Sequence, residues 1–317
     1  MDTYLVTGGA GFIGSHIVDE LVRRGESVRV LDNLSTGKRE NLAGVIEQIE
    51  FREGDIRSLE TVRCAIQGVD YVLHQAALPS VPRSVADPLT SHEVNVTGTL
   101  NVLIAARDAQ VKRLVYVSSS SVYGNSPTLP KHEKMPTNPL SPYAVSKLAG
   151  ENYCRAFYQV YQVPTVILRY FNVFGPRQDP TSQYSAVIPK FIQALLHGEP
   201  STIHGDGMQS RDFTYVANVV QANLLACEKD AAVGEVMNVA CGEAHTLLDL
   251  HRELEDLISK SIPPTFTATR AGDVKHSLAA IERAENLLGY KPIVGWNEGL
   301  RRTVIHFPLN KDMKDNA

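Results

Sequence analysis

Apolar positions along this chain fall into short runs separated by helical stripes, and the alternation is regular through the first half. The run Tyr4-Leu5-Val6-Thr7 breaks into closely spaced glycines, and Ile17, Val18, Leu21 and Val22 then recur at helical spacing. Ser27–Asp32 predicts a second strand, Ile49–Asp55 a third, Leu59–Gln67 a helix and Asp70–Gln75 a fourth strand. Residues 88–109 carry one long helical stripe through Val94, Leu100, Val102, Leu103 and Ala106. Arg113–Ser118 predicts the next strand, Tyr143–Tyr161 a second long helix and Thr165–Tyr170 a further strand. Strand and helix in such alternation predict an α/β fold built on a doubly wound parallel sheet, the Rossmann arrangement.

Beyond residue 170 the pattern loosens into loops at 175–184 and 198–211 with shorter helices between them. These suit a smaller substrate lobe above the C-terminal edge of the sheet, where α/β folds place ligands. The expected division is 1–170 for the nucleotide domain, rejoined by about 212–240 through a strand at Glu235–Ala240. Residues 171–211 and 241–317 then form the lobe.

Composition adds mainly exclusions. Over 317 residues, 43% hydrophobic and 21% charged content is ordinary for a globular chain, and a net charge of −4 offers no footprint for nucleic acid. No apolar run approaches the roughly 20 residues needed to cross a bilayer. The first strand begins almost at Met1, which leaves no room for a secretion signal and predicts a cytoplasmic protein without membrane partners. Cys64, Cys154, Cys227 and Cys241 form no close pair, and the ten histidines make no HxxxH or HExxH spacing, so no metal is expected.

The glycines give the first chemistry. Gly8, Gly11 and Gly14 stand between a strand and a helix, where they allow a tight turn and a close approach of backbone to a pyrophosphate. The helix beginning near Phe12 and Ile13 then points free N–H groups at the phosphates. Asp32 closes the second strand eighteen residues after Gly14, placed to accept both hydroxyls of the adenosine ribose and to repel a 2′-phosphate. Asn33 follows rather than arginine, and Lys38 and Arg39 lie too far along the loop to hold that phosphate. The expected cofactor is NAD rather than NADP.

Tyr143 and Lys147, at i and i+4, face one way from a predicted helix, and Ser118-Ser119-Ser120-Ser121 ends the strand before it. Here the chain resembles the extended short-chain dehydrogenases/reductases, which use a Ser/Thr and Tyr-x-x-x-Lys set, and the resemblance covers nearly the whole length. It implies Tyr143 as proton acceptor, Lys147 as its cationic partner and a bond to the nicotinamide ribose, and Ser119 at the reacting oxygen. Ser118 and Ser120 stand as alternates for the serine. A phenol acting at neutral pH needs a fall of about 3 pKa units, roughly 4 kcal/mol. A lysine charge about 5 Å away supplies on the order of 3 kcal/mol, and the positive nicotinamide ring the remainder.

Further motifs resemble the nucleotide-sugar epimerases and dehydratases of that superfamily: Asp55-Ile56, His74-Gln75-Ala76-Ala77, Asn95, and Arg169-Tyr170-Phe171-Asn172. The resemblance implies cofactor contacts at Asp55, Ile56, Gln75, Ala76, Asn95 and Tyr170, and a contact of Asn172 to a substrate diphosphate. It also implies a diphosphate grip by Arg211 and Arg270, a ribose contact at Asp273, and a uracil cradle at Ala186-Val187. Ser80, Ser120, Gln178 and Ser277 complete the implied substrate pocket, Ser277 standing where a tyrosine would close it to an N-acetyl group. Dehydratases place an Asp-Glu pair after the catalytic hydroxyl residue, and here those positions are Ser120 and Ser121. The reaction so implied is NAD-dependent C4 epimerisation of a UDP-hexose: UDP-glucose, with UDP-N-acetylglucosamine as a second substrate. UDP-glucuronate, gripped by Arg177, is one alternative; a catalytically idle NAD-binding regulator is another. The two long helices resemble those that pair in homodimers of the superfamily.

Overall fold

The structure, a computed structural model, describes residues 1–179, 186–269 and 275–307. In chain order the first half contains β1 (Thr3–Thr7), α1 (Phe12–Arg23), β2 (Ser27–Asp32), β3 (Glu50–Glu53), α2 (Leu59–Ile66) and β4 (Tyr71–His74). Then come α3 (Val81–Ala86), α4 (Pro88–His92), a π-helical turn (Glu93–Gly98), α5 (Thr99–Asp108), β5 (Arg113–Ser119), α6 (Pro142–Tyr161) and β6 (Thr165–Tyr170). The second half adds β7 (Val173–Phe174), α7 (Val187–His197), β8 (Thr202–His204), β9 (Ser210–Arg211), β10 (Thr214–Tyr215) and α8 (Val216–Glu228). It closes with β11 (Val236–Val239), β12 (His245–Thr246), α9 (Leu247–Ile258), β13 (Thr265–Thr267), α10 (Glu282–Leu288) and α11 (Trp296–His306).

Seven strands form one parallel sheet in the order β11-β6-β5-β4-β1-β2-β3. From β1 the chain builds outward to β3 on one side and then, from β4, outward to β11 on the other. The reversal between β1 and β4 opens a crevice at the carboxyl ends of the strands, the ordinary ligand position in such sheets. Helices cover both faces, so the central strands are apolar on both; every residue of β6 is buried. Ile17, Val18 and Leu21 of α1 pack with Val219, Ala222 and Leu224 of α8 against one face. Val62 of α2, Val102 and Leu103 of α5 and Phe157 of α6 pack against the other. A separate core joins α7, α9 and α11 around Phe174, Phe213 and Trp296.

Three expectations are redrawn. The third strand is shorter than Ile49–Asp55, covering Glu50–Glu53. The stripe at 88–109 is interrupted by the π-helical turn, a feature that often accompanies functional positions. The short helix α3 was not anticipated; Ser80 caps it, accepting from the Arg83 N–H at 3.3 Å. Its Ser84 hydroxyl accepts from the Tyr143 backbone N–H at 3.0 Å, while Ser141 caps α6 through Ala144. Pro142 opens α6 at a position where its missing N–H costs nothing. The start of α6, and hence Tyr143, is thereby tied to α3.

Candidate active site

A cleft of about 870 Å³ runs along the carboxyl ends of the strands at the β1/β4 reversal. Most of the residues singled out above line it: Gly8, Gly11, Phe12, Ile13, Gly14, Asp32, Asn33, Asp55, Ile56, Gln75, Ala76 and Tyr170 on the nucleotide side. Ser80, Ser119, Tyr143, Lys147, Asn172, Gln178 and Ala186 line the remainder.

The glycine turn is shaped as a cradle. Gly8 has φ +70°, and a Cβ there would stand 2.7 Å from the Ala76 backbone nitrogen. No side chain caps α1, so its first N–H groups remain available to an anion at the cleft. At the end of β2, Asp32 accepts from the Ala10 and Leu34 N–H groups at 2.9 and 2.8 Å. Burial raises its pKa while those two bonds oppose the rise. Each carboxylate oxygen keeps a lone pair for a ribose hydroxyl. Asn33 donates to Asp55 at 2.8 Å, and hydrogen bonds from Arg57 hold the Asp55 pKa down to about 2. A dinucleotide fits this donor and acceptor set.

Lys38 departs from expectation. The loop after β2 folds back, with the Lys38 N–H donating to the Ala10 carbonyl at 3.0 Å, so residues 34–38 line the same cleft. The Lys38 ammonium meets Asp179 across it at 3.2 Å. Counting residues along the loop could not reveal that return.

Around the candidate chemistry, Lys147 is 4% exposed, with its ammonium 4.7 Å from the centre of the Tyr116 ring. Burial lowers its pKa to about 8, against the nearby Cys154 and Glu151, which raise it. Burial also pushes the Tyr143 phenol above its ordinary value, and a hydrogen bond with Ser119 pulls it back. Summing the lysine charge alone omits this desolvation, which opposes ionisation of a buried phenol. The chain by itself therefore keeps Tyr143 protonated at neutral pH. The three serines separate clearly. Ser118 donates to Glu151 at 2.5 Å, Ser119 lines the cleft with Tyr143, and Ser120 enters the turn after β5 and does not line the cleft.

Other expected contacts lie elsewhere. Asn95, in the π-helical turn, is 1% exposed and does not line the cleft. Its side chain is committed to both backbone groups of Leu78, at 2.8 and 3.1 Å, and to the Ser146 hydroxyl. It holds the loop after β4 onto α6. Val187 packs into the lobe core. Arg211 donates to the Ser210 and Lys275 carbonyls, and Ser277 N–H donates to Ser210, so these two stand together on the lobe away from the cleft lining. Arg270 and Asp273 lie outside the described residues. Arg177, the residue expected to grip a glucuronate, is turned onto Asp19 of α1 at 2.7 Å and does not line the cleft.

Two features favour a ligand on the sugar side. Ser80 and Asn172 line the cleft with φ of +103° and +33°, a backbone cost that surrounding structure tolerates mainly at working sites. The Gln178 side-chain oxygen is buried with no hydrogen-bond partner among the described residues, and the residue lines the cleft. Arg83 and Leu78, not singled out beforehand, also line it, as does Val94, read from the sequence only as part of an apolar stripe. Asn223 of α8 lies behind, donating to the Tyr170 hydroxyl at 2.5 Å and accepting from Gln75 at 3.0 Å. Its partners lie far away in sequence, so spacing carried no signal for it.

A sequence model of the NAD dependent epimerase/dehydratase family matches residues 4–240. The chain belongs to that family. Its cofactor is NAD. A UDP-glucose 4-epimerase of Mycolicibacterium smegmatis is 40% identical over 307 residues, 96% of this chain and 97% of that one. A UDP-N-acetylglucosamine 4-epimerase from Methanobrevibacter ruminantium, solved with UDP-N-acetylmuramic acid, superposes at a TM-score of 0.93 with 43% identity. The match covers 96% of this chain and 98% of that one. A Thermus thermophilus UDP-glucose 4-epimerase solved with NAD gives 0.87 and 40%, with the same coverage. This family member has no helix among its described residues long and apolar enough to cross a membrane. The described residues of this epimerase/dehydratase relative also hold no group of three or more His, Cys, Asp or Glu side chains that could bind a metal.

Proposed function

We propose that the chain is an NAD-dependent UDP-sugar 4-epimerase acting on UDP-glucose and UDP-galactose, and on their N-acetylamino counterparts. The observation that carries this reading is Ser119, Tyr143 and Lys147 together in the cleft, followed along the chain by the hydroxyls of Ser120 and Ser121 outside its lining. Ser121 is itself committed to the Ser119 oxygen, through its N–H at 3.2 Å and its hydroxyl at 3.0 Å. Neither position offers the acid–base pair that loss of water from the sugar requires.

NAD, when bound, supplies the acceptor and later donor of the C4 hydride and adds positive charge near the phenol. Tyr143 takes the proton of the sugar C4 hydroxyl and gives it back. Ser119 donates to the C4 oxygen as it becomes a carbonyl. Lys147 balances the phenolate and reaches the nicotinamide ribose. Gly8, Gly11, Gly14 and the α1 N-terminus hold the pyrophosphate, with Asp32 on the adenosine ribose. Asn172 holds the UDP diphosphate and Ala186 the uracil from the cleft lining, while the diphosphate roles of Arg211 and Arg270, the ribose role of Asp273 and the uracil role of Val187 rest on the family resemblance alone. Ser80 and Gln178 bound the sugar from the cleft lining, with Ser277 assigned there by the family resemblance alone, and the sugar must turn over between the two half-reactions. Arg177 is paired with Asp19 and does not line the cleft, which leaves a glucuronate carboxylate without that arginine's grip.

Homodimerisation is part of the proposal. Along α3, α4 and α6, Val85, Leu89, Val145, Tyr153 and Tyr161 are exposed, whereas Phe157 belongs to the core. Light scattering reads the mass directly. The functional test offers UDP-glucose, UDP-N-acetylglucosamine and UDP-glucuronate separately and follows each C4 epimer by NMR. Conversion of the first two supports the proposal; conversion of the third alone contradicts it.

A further inference from the structure

We propose that Glu151 is a positioning residue for the Ser119, Tyr143 and Lys147 set, tying the strand that presents the serine to the helix that presents the other two. The inference rests on the proposed reaction and extends its site by one layer.

Tyr143, Lys147 and Glu151 lie at i, i+4 and i+8 on α6, so all three project from one face on successive turns. Glu151 is completely buried. Arg169 of β6, 1% exposed, binds it with two parallel bonds of 2.8 and 2.7 Å. The remaining capacity of the carboxylate accepts the Ser118 hydroxyl at 2.5 Å. One carboxylate therefore joins α6, β5 and β6 at the depth of the cleft. On β5 the next residue, Ser119, lines the cleft together with Tyr143. The Ser118–Glu151 bond thus fixes the end of β5, where Ser119 follows, against the helix face that carries Tyr143 and Lys147, and slippage between strand and helix would break it.

Stability alone is a poor reason for such a group. A buried ion pair roughly balances its own desolvation, and apolar side chains of similar volume often serve as well. What an apolar replacement cannot supply is a fixed negative charge one turn beyond Lys147. The other groups facing the Lys147 ammonium are Tyr116 on β5, His74 on β4, and Tyr143 and Cys154 on α6, with Arg169 on β6 held by Glu151 and Arg83 of α3 on the cleft wall. Burial keeps His74 neutral, with its pKa near 3. Glu151 is then the carboxylate that sustains the lysine cation, and through it the proton exchange at Tyr143.

The test compares Glu151→Gln with the neutral pair Glu151→Gln/Arg169→Met, both NAD-loaded. Both variants should lose roughly 10- to 100-fold in kcat with KM within threefold, and the alkaline limb of the pH profile should move down by about one unit or more. The double variant recovers thermal stability without recovering kcat or the limb, and it carries the comparison should the single variant fold poorly. Recovery of parental kcat in the double variant, or parental kcat in the single one, overturns the proposal. A second readout needs no substrate: titration of lysine labelled with ¹³C at Cε, with the Lys147 signal identified by its loss in Lys147→Met. Its midpoint falls in both variants if Glu151 acts as argued, and an unmoved midpoint overturns the proposal even if the parent turns over no UDP-sugar.

Discussion

A Cβ built on Gly14 would stand 2.1 Å from the carbonyl oxygen of Gly8, a separation no flexible side chain can relieve because both partners are backbone. The turn between β1 and α1 thus closes on itself only when residue 14 has no side chain. Gly14→Ala must open the turn and draw the α1 N-terminus away from the position of the pyrophosphate. The expected result is a loss of bound NAD of tenfold or more, read from cofactor absorbance of the purified variant. Retention of parental NAD content would contradict the cradle.

Tyr143→Phe removes one oxygen and leaves the packing of α6 intact. Turnover should fall by roughly 10²- to 10⁴-fold, the usual worth of a positioned proton acceptor. Bound NAD should persist, because the glycine turn and Asp32 are untouched. Undiminished epimerisation by this variant would remove the phenol from the reaction.

The sheet and the nucleotide half of the site were legible because their signals are local. A strand ending in glycines, an acid closing β2 and a Tyr-x-x-x-Lys spacing each depend on a few neighbouring residues. Lys38, Asn95 and Asn223 were not legible, because each acquires its role from a chain return or from partners distant in sequence. Asn95 sits in a π-helical turn and its bonds go to Leu78 and Ser146. Only the family resemblance preferred Ser119 over Ser118 and Ser120 until the fold committed Ser118 to Glu151 and left Ser120 outside the cleft lining.

Asp212 makes stability depend on pH in an unusual direction. It is fully buried beside the Cys241, Gly242 and Ala279 N–H groups, and its carbonyl accepts from Asn172. Burial raises its pKa from 3.8 to about 7 despite those bonds. Between about pH 4 and 7 the folded chain holds a proton that the unfolded chain has released, so this group weakens the fold as pH rises. Three units correspond to at most about 4 kcal/mol. Asp212→Asn lacks that slope. Denaturant melts at pH 5 and pH 7.5 should show the parent losing stability relative to the variant at the higher pH, and the opposite trend would refute the assignment.

Ser277 stands beside Arg211 through the Ser210 backbone. A tyrosine there should suppress conversion of UDP-N-acetylglucosamine by tenfold or more while sparing UDP-glucose, because only the former needs room at C2. Parallel kinetics with both sugars check this, and equal losses would deny Ser277 a gating role.

Epimerisation in D₂O tests the central claim most directly. If Tyr143 exchanges only the hydroxyl proton and the hydrogen on carbon returns from the cofactor, UDP-galactose formed from UDP-glucose carries protium at C4 and C5 by ¹H NMR. Deuterium at either carbon, or a 4-keto-6-deoxy product, would contradict the account.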